Sequence, residues 1–110
     1  MKQVIEYIQK NYDPLCLILY GSYADGTNRL NSDFDALVIT ADHEPFHDTS
    51  LVAGIPLDVF VYPARYFEGA YACEDFVQIF DGRVIMDRHD IGKSLLANVQ
   101  AYLQNRPEKT

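Results

Sequence analysis

A charged pair set inside an apolar run constrains this chain more than any other feature. Residues 15–20 read Leu-Cys-Leu-Ile-Leu-Tyr, break at Gly21-Ser22, pass through polar turn residues, and return to an apolar run that carries Asp33 and Asp35. Aspartate is depleted in strands, and two of them at i and i+2 project from the same face. Two carboxylates roughly 5 Å apart repel by about 3 kcal/mol at an effective dielectric of about 20. A hard divalent cation offsets such repulsion, since Mg²⁺ takes oxygen ligands from one or two carboxylates and from substrate phosphates. Gly-Ser just after a strand supplies the complementary part: glycine lets the backbone turn tightly toward a ligand, and N–H groups at a helix start attract phosphate.

The order of elements around this stretch follows from periodicity and breakers. Met1, Val4, Ile5, Ile8 and Tyr12 fall at helical spacing, and Asp13-Pro14 ends that helix because the residue before proline is pushed out of the α region. The run 15–20 is apolar throughout, which suits a strand buried on both sides, and Ser22 can cap or begin a short helix over 22–25. Residues 27–32 are turn chemistry, 33–40 a second strand, and 41–50 a polar loop. A third strand spans 55–62, with Leu51 to Ala53 pairing to it across Gly54. Its alternation puts Ile55, Leu57, Val59 and Val61 on one face and Asp58, Phe60 and Tyr62 on the other. Asp58 therefore meets Asp33 and Asp35 if the two strands are neighbours, and the sequence offers it no evident ion-pair partner.

Beyond Tyr62-Pro63 the pattern is weaker. Residues 65–72 read as a short helix, and 76–86 fit either a helix followed by a strand or a hairpin turning at Asp81-Gly82. Asp90 is the expected N-cap of a last helix whose Ile91, Leu95, Leu96, Val99, Tyr102 and Leu103 form an apolar stripe. Pro107-Glu108-Lys109 resembles the start of a further helix, as though the chain were the front part of a longer protein. The expected class is α/β: one domain, 1–110, with helices packed on a small mixed β-sheet.

Gly21-Ser22, ten intervening residues, then Asp33-Phe34-Asp35 resembles the signature of the polymerase-beta-like nucleotidyltransferases, and most closely their minimal branch. The resemblance covers roughly residues 15 to 62 and implies the palm-like fold of that superfamily. It implies that Asp33 and Asp35 hold two Mg²⁺ ions, that Gly21 and Ser22 hold the terminal phosphates of a nucleoside triphosphate, ATP being the expected one, and that Asp58 is the third carboxylate. Asp58 would bind the catalytic metal and help deprotonate an acceptor hydroxyl on a small molecule or a protein. The chain departs from the family's usual Gly-Ser-x-Ala-Arg-Gly by carrying Asp25 in the arginine position. That departure favours an alternative, a catalytically weak antitoxin-like module that pairs with a helical HEPN-type protein or a C-terminal helical domain.

Charge narrows the partners. With 16 acidic against 9 basic residues, a net charge of −7 and no Lys/Arg cluster, the chain lacks the electrostatic footprint of a duplex nucleic-acid binder. No apolar run approaches the roughly 18 residues of a membrane span, and two cysteines, Cys16 and Cys73, are too few for a disulfide scaffold. A reduced, cytoplasmic protein is expected.

Two rival motifs fail on local physics. His43-Glu44-Pro45-Phe46-His47 has the letters of a zinc-protease His-Glu-x-x-His, but that motif needs a continuous helix and Pro45 disrupts one, so both histidines are expected in a solvated loop. Gly92-Lys93-Ser94 imitates the end of a P-loop, yet the earlier glycine position is Asp87. Tyr23 and Tyr62 are candidates to stack on a nucleobase, although most aromatics in so small a domain belong to the core.

Overall fold

The computed structural model describes residues 2–26 and 32–105, with the Asp25 side chain excepted. Residues 27–31 of the turn expected over 27–32, the role of the Asp25 side chain and the possible helix start at Pro107 lie outside the described residues. Helix α1 (Lys2–Tyr12) leads into β1 (Cys16–Tyr20), the one-turn helix α2 (Ser22–Asp25) and β2 (Phe34–Thr40). Short strands β3 (Phe46–Asp48) and β4 (Leu51–Val52) precede β5 (Ile55–Pro63), and two 3-10 segments, Ala64–Phe67 and Cys73–Ile79, separate β5 from β6 (Arg83–Asp87) and α3 (Ile91–Asn105).

The strands lie in the order β3-β5-β2-β1-β6, with β4 pairing the start of β5. Among the described residues only β2 and β5 run parallel, in a register that sets Asp35 beside Asp58. The mixed sheet with helices on both faces is the α/β architecture expected from the pattern. Both central strands, β1 and β2, are buried along almost their whole length, as their unbroken apolar sequences require.

Each face of the sheet has its own cluster. Val4 and Ile8 of α1 pack on Leu17, Leu19, Phe34, Ala36, Val38, Leu57, Val59 and Val61. On the other face, Leu95 and Val99 of α3, with Phe76 and Ile79, cover Cys16, Ile18, Leu37 and Ile39. Burying a side chain the size of Leu37 or Ile18 contributes roughly 1.5–3 kcal/mol, so the alternation along β1, β2 and β5 decides which residues are left at the sheet's open end.

The chain ends its elements with local devices. Asp13 takes a left-handed φ of 45° at the close of α1. Ala53 and Gly54, at φ 51° and 80°, form the two-residue hairpin between β4 and β5, where primed turns need positive φ at both positions. Two expectations are corrected here. The segment 65–72 is not an α-helix but a single 3-10 turn followed by irregular chain, its aromatics committed to ring contacts among Tyr62, Tyr66, Phe67, Tyr71 and Phe76. Asp90 holds the position before α3, where its carbonyl accepts from the Ser94 N–H, but the capping side chain is that of Asp87: its Oδ1 and Oδ2 accept from the N–H groups of Gly92 and Lys93, each at 2.9 Å. His89 and Asp90 both lie in the left-handed region and turn the chain back onto the end of β6, which brings Asp87 to those amides. The region 76–86 resolves as 3-10 helix then strand, not as a hairpin.

Candidate active site

The site forms where β1 ends and β2 and β5 begin. Because β2 and β5 are parallel and adjacent, Asp35 and Asp58 occupy paired positions, and both belong to the face that carries Leu37 and Phe60 further along. Asp33 stands one residue before β2, on the same side. Carboxylate oxygens of Asp33, Asp35 and Asp58 all lie within 4.8 Å of one another, with Asp33 exposed and the other two partly buried. The sequence-predicted triad is thus assembled from two strands, as the alternation of β5 required.

Gly21 is what brings the first strand's end against this cluster. It adopts φ 72° and ψ −155°, a conformation open to glycine and strained for other residues, and a Cβ there would strike Asp35 Oδ2. The backbone of the Gly-Ser turn therefore passes directly against the Asp35 carboxylate. Ser22 is the first residue of α2 rather than its cap, since Gly21 holds the cap position and no side chain caps the helix.

Electrostatics mark Asp35 as the strained member. Burial, a hydrogen bond with Asp58 and the charges of Asp58 and Asp33 push its carboxyl up to about 6. Tyr20 closes the end of β1, opposite Asp35 in the ladder, and burial together with the charges of Asp58 and Asp35 pushes its phenol well above the usual tyrosine range. It remains a neutral hydroxyl beside the acids.

The loop expected over 41–50 is corrected in a way that touches the site. Phe46–Asp48 is a strand, antiparallel to β5, with His47 opposite Phe60. Its ring stacks on Phe60 at a centroid distance of 4.1 Å and an interplanar angle of 3°, and its Nε2 lies 2.5 Å from Asp58 Oδ1. Asp58 therefore has a side-chain partner that the sequence did not reveal. The next residue, Asp48, faces the opposite side, where it is 2% exposed and accepts from Tyr12 Oη at 2.5 Å, Tyr7 Oη at 2.8 Å and the Ser50 N–H at 2.9 Å. Burial alone would raise its carboxyl, but the hydrogen bonds of Tyr12, Ser50 and Tyr7 outweigh it and hold the group below its ordinary value.

Candidates outside the triad take structural roles. His43 donates from Nδ1 to the Glu44 carbonyl and stacks edge-on against Tyr12, on a different element from His47, so no zinc-protease helix exists. Tyr23 packs on Phe34, and Tyr62 belongs to the aromatic cluster behind the sheet. Asp87 occupies the amides that a P-loop would offer a phosphate. Both cysteines are free, and burial plus the Asp87 carboxylate push the Cys16 thiol up to about 12, which makes it an inert core group.

An all-oxygen donor set with surplus negative charge suits a hard divalent cation, and the raised Asp35 carboxyl is the observation that the set is under-compensated without one. A mixed sheet that brings a Gly-Ser turn against carboxylates from two neighbouring strands defines a nucleotidyltransferase fold. The chain belongs to the polymerase beta nucleotidyltransferase family, whose sequence profile matches residues 2–57. No curated protein matches it. Among solved structures, it is similar to a toxin–antitoxin protein determined with AMP-PNP, at 18% identity and a TM-score of 0.58, covering 94% of this chain and 86% of that one. Two MntA–HpeT toxin–antitoxin structures are similar to the same degree. One bears a tyrosine-to-alanine substitution, with 18% identity, TM-score 0.58 and coverage of 94% and 85%. The other bears two aspartate-to-glutamate substitutions, with 16% identity, TM-score 0.58 and coverage of 94% and 86%. Among the described residues, no helix is long and apolar enough to cross a membrane.

Proposed function

We propose that this protein transfers a nucleoside monophosphate from a nucleoside triphosphate, ATP being the expected donor, to a hydroxyl of a small molecule or a protein. The observation that carries this reading is the convergence of Asp33, Asp35 and Asp58 within 4.8 Å beside the Gly21 turn. Asp33 and Asp35 would hold Mg²⁺, with two ions expected and Asp58 completing the set. When bound, the metal supplies charge neutralisation for the phosphates and polarises the attacking and leaving oxygens.

The rest falls to side chains and backbone. Gly21, having no Cβ, leaves the approach to Asp35 open, so the Gly21 N–H and the Ser22 hydroxyl take the terminal phosphates as hydrogen-bond donors. Asp58, with Oδ1 engaged by His47, would accept the acceptor's proton on its carboxylate. The acceptor oxygen forms its bond to the α-phosphorus while the bond from that phosphorus to the pyrophosphate oxygen breaks, and pyrophosphate carries away the electron pair. Positioning and electrostatics supply most of the catalysis in phosphoryl chemistry.

A neighbour determined with AMP-PNP supports an adenine nucleotide, and the toxin–antitoxin setting of all three supports a protein partner. The second reading, a catalytically weak antitoxin-like module pairing with a helical HEPN-type partner, draws on that same setting. The two free thiols fit a reducing, cytoplasmic location. The test is calorimetric titration of ATP with and without Mg²⁺, repeated on Asp33→Asn. Wild type is expected to bind the pair together, and the variant to lose roughly 30-fold in affinity, about 2 kcal/mol. Binding within twofold of wild type in the variant refutes the assignment.

A further inference from the structure

We propose that His47 is a positioning residue for the carboxylate triad: stacked on Phe60 and donating from Nε2 to Asp58 Oδ1, it fixes the Asp58 carboxylate in the orientation that completes the metal site. This inference rests on the metal-site reading of the triad and goes beyond it, because His47 lies on β3, outside the Gly-Ser and Asp-x-Asp stretch.

Three observations converge on the role. The contact is short, 2.5 Å, and its direction is fixed, because a carboxylate has no proton to give and Nε2 must be the donor. A neutral ring with its proton on Nε2 suffices, so the role does not depend on the charge of the imidazole. The ring has little freedom to leave: it lies flat on Phe60, 4.1 Å away and 3° from parallel. Its strand is fastened from the other side of the sheet by Asp48, which is 2% exposed and receives the hydroxyls of Tyr7 and Tyr12 from α1. Alternation along three residues thus turns a buried anchor on one face into a fixed donor on the other.

The chemistry calls for such a donor. Asp35 and Asp58 sit in register on adjacent strands, and each carboxylate that turns toward the other meets a like charge. Occupying Oδ1 of Asp58 removes the rotamers in which that oxygen swings toward solvent. Ligating carboxylates are commonly held by outer hydrogen bonds of this kind, and losing one costs roughly 10–100-fold in metal affinity. Arg65, a charged donor further along the chain, is already paired with Asp42 and Glu44.

The experiment is Mn²⁺ binding to the full chain without nucleotide, followed by electron paramagnetic resonance, alongside the metal-free thermal midpoint. His47→Phe keeps a flat ring for Phe60 but removes the donor; His47→Gln keeps a donor. The expected result is at least tenfold weaker Mn²⁺ binding in His47→Phe with a midpoint within about 4 °C of wild type, a stability change of about 1 kcal/mol or less. His47→Gln should recover to within threefold of wild type. Should the Phe variant not fold, His47→Ala at this 45%-exposed position gives the donor-free arm. Mn²⁺ binding within threefold of wild type in the donor-free variant, or a Gln variant as weak as it, overturns the proposal. Asp35→Asn separates the two readings. If wild type binds Mn²⁺ no better than Asp35→Asn, the triad reading and the His47 role fall together. If Asp35→Asn loses binding and the donor-free His47 variant keeps it, only the His47 role falls.

Discussion

Replacing Asp35 with asparagine should make the metal-free protein more stable, not less. Asp35 has its carboxyl raised from 3.8 to about 6 by burial, by the hydrogen bond with Asp58 and by the charges of Asp58 and Asp33. That difference corresponds to about 3 kcal/mol at full strength, and partial exposure with solvent screening reduces it to about 1–2 kcal/mol. Because the folded-state value lies above the unfolded one, the folded protein holds this proton more tightly. The resulting stabilisation is fully present below about pH 4 and is lost as pH rises through about 6. At pH 7.5 wild type bears the cost of the ionised carboxylate and Asp35→Asn does not. The variant should therefore gain about 1–2 kcal/mol, or roughly 4–8 °C in thermal midpoint for a chain of this size, while the two proteins converge near pH 4. Melts followed by circular dichroism in EDTA, from pH 4 to 8, give the difference curve directly. The difference should develop between about pH 4 and 6 with its midpoint near about 5, and millimolar Mg²⁺ should raise the wild-type melting midpoint at pH 7.5 with little effect on the variant. A variant that melts lower than wild type at pH 7.5 without metal would show the carboxylate to be a structural partner and the charge argument to be wrong.

Two further perturbations test the packing that holds the site. Tyr12→Phe removes the 2.5 Å hydrogen bond to the buried Asp48 and should cost about 1.5–3 kcal/mol by urea melts. Asp48 is held below its ordinary value, so its contribution is present at neutral pH and lost on acidification; the acid-unfolding midpoint of Tyr12→Phe should move to higher pH, and an unchanged midpoint would discount the anchor. Gly92→Ala would drive a methyl into Cys16 Sγ and should destabilise by about 1–3 kcal/mol as overpacking. Cys16→Ala in the same chain should recover part of that loss, and strictly additive effects would mean the two residues do not collide.

How much of this was legible before the structure depends on which local rules each residue breaks. Asp33, Asp35 and Asp58 stood out because carboxylates in apolar strand sequence contradict the propensity of their surroundings, and such contradictions concentrate at functional sites. Alternation along 55–62 then placed Asp58 on the correct face, and the parallel register of β2 with β5 brought it to Asp35. Gly21 stood out as a breaker at the end of an apolar run, and in the structure it takes a positive φ and approaches Asp35. His47 broke nothing. A histidine between Phe46 and Asp48, two residues after Pro45, is ordinary loop sequence, and three residues cannot display a period of two against a period of 3.6. What makes β3 a strand is the unpaired edge of β5, a long-range property, and what brings His47 to Asp58 is its place opposite Phe60 in that pairing. Asp87 escaped notice for a similar reason, since its capping of α3 depends on two consecutive left-handed residues, His89 and Asp90, neither of them a glycine. Residues that carry chemistry against their local context can be found in one dimension. Residues that orient them act through register, and register is set by the partner strand rather than by the residue's own neighbours.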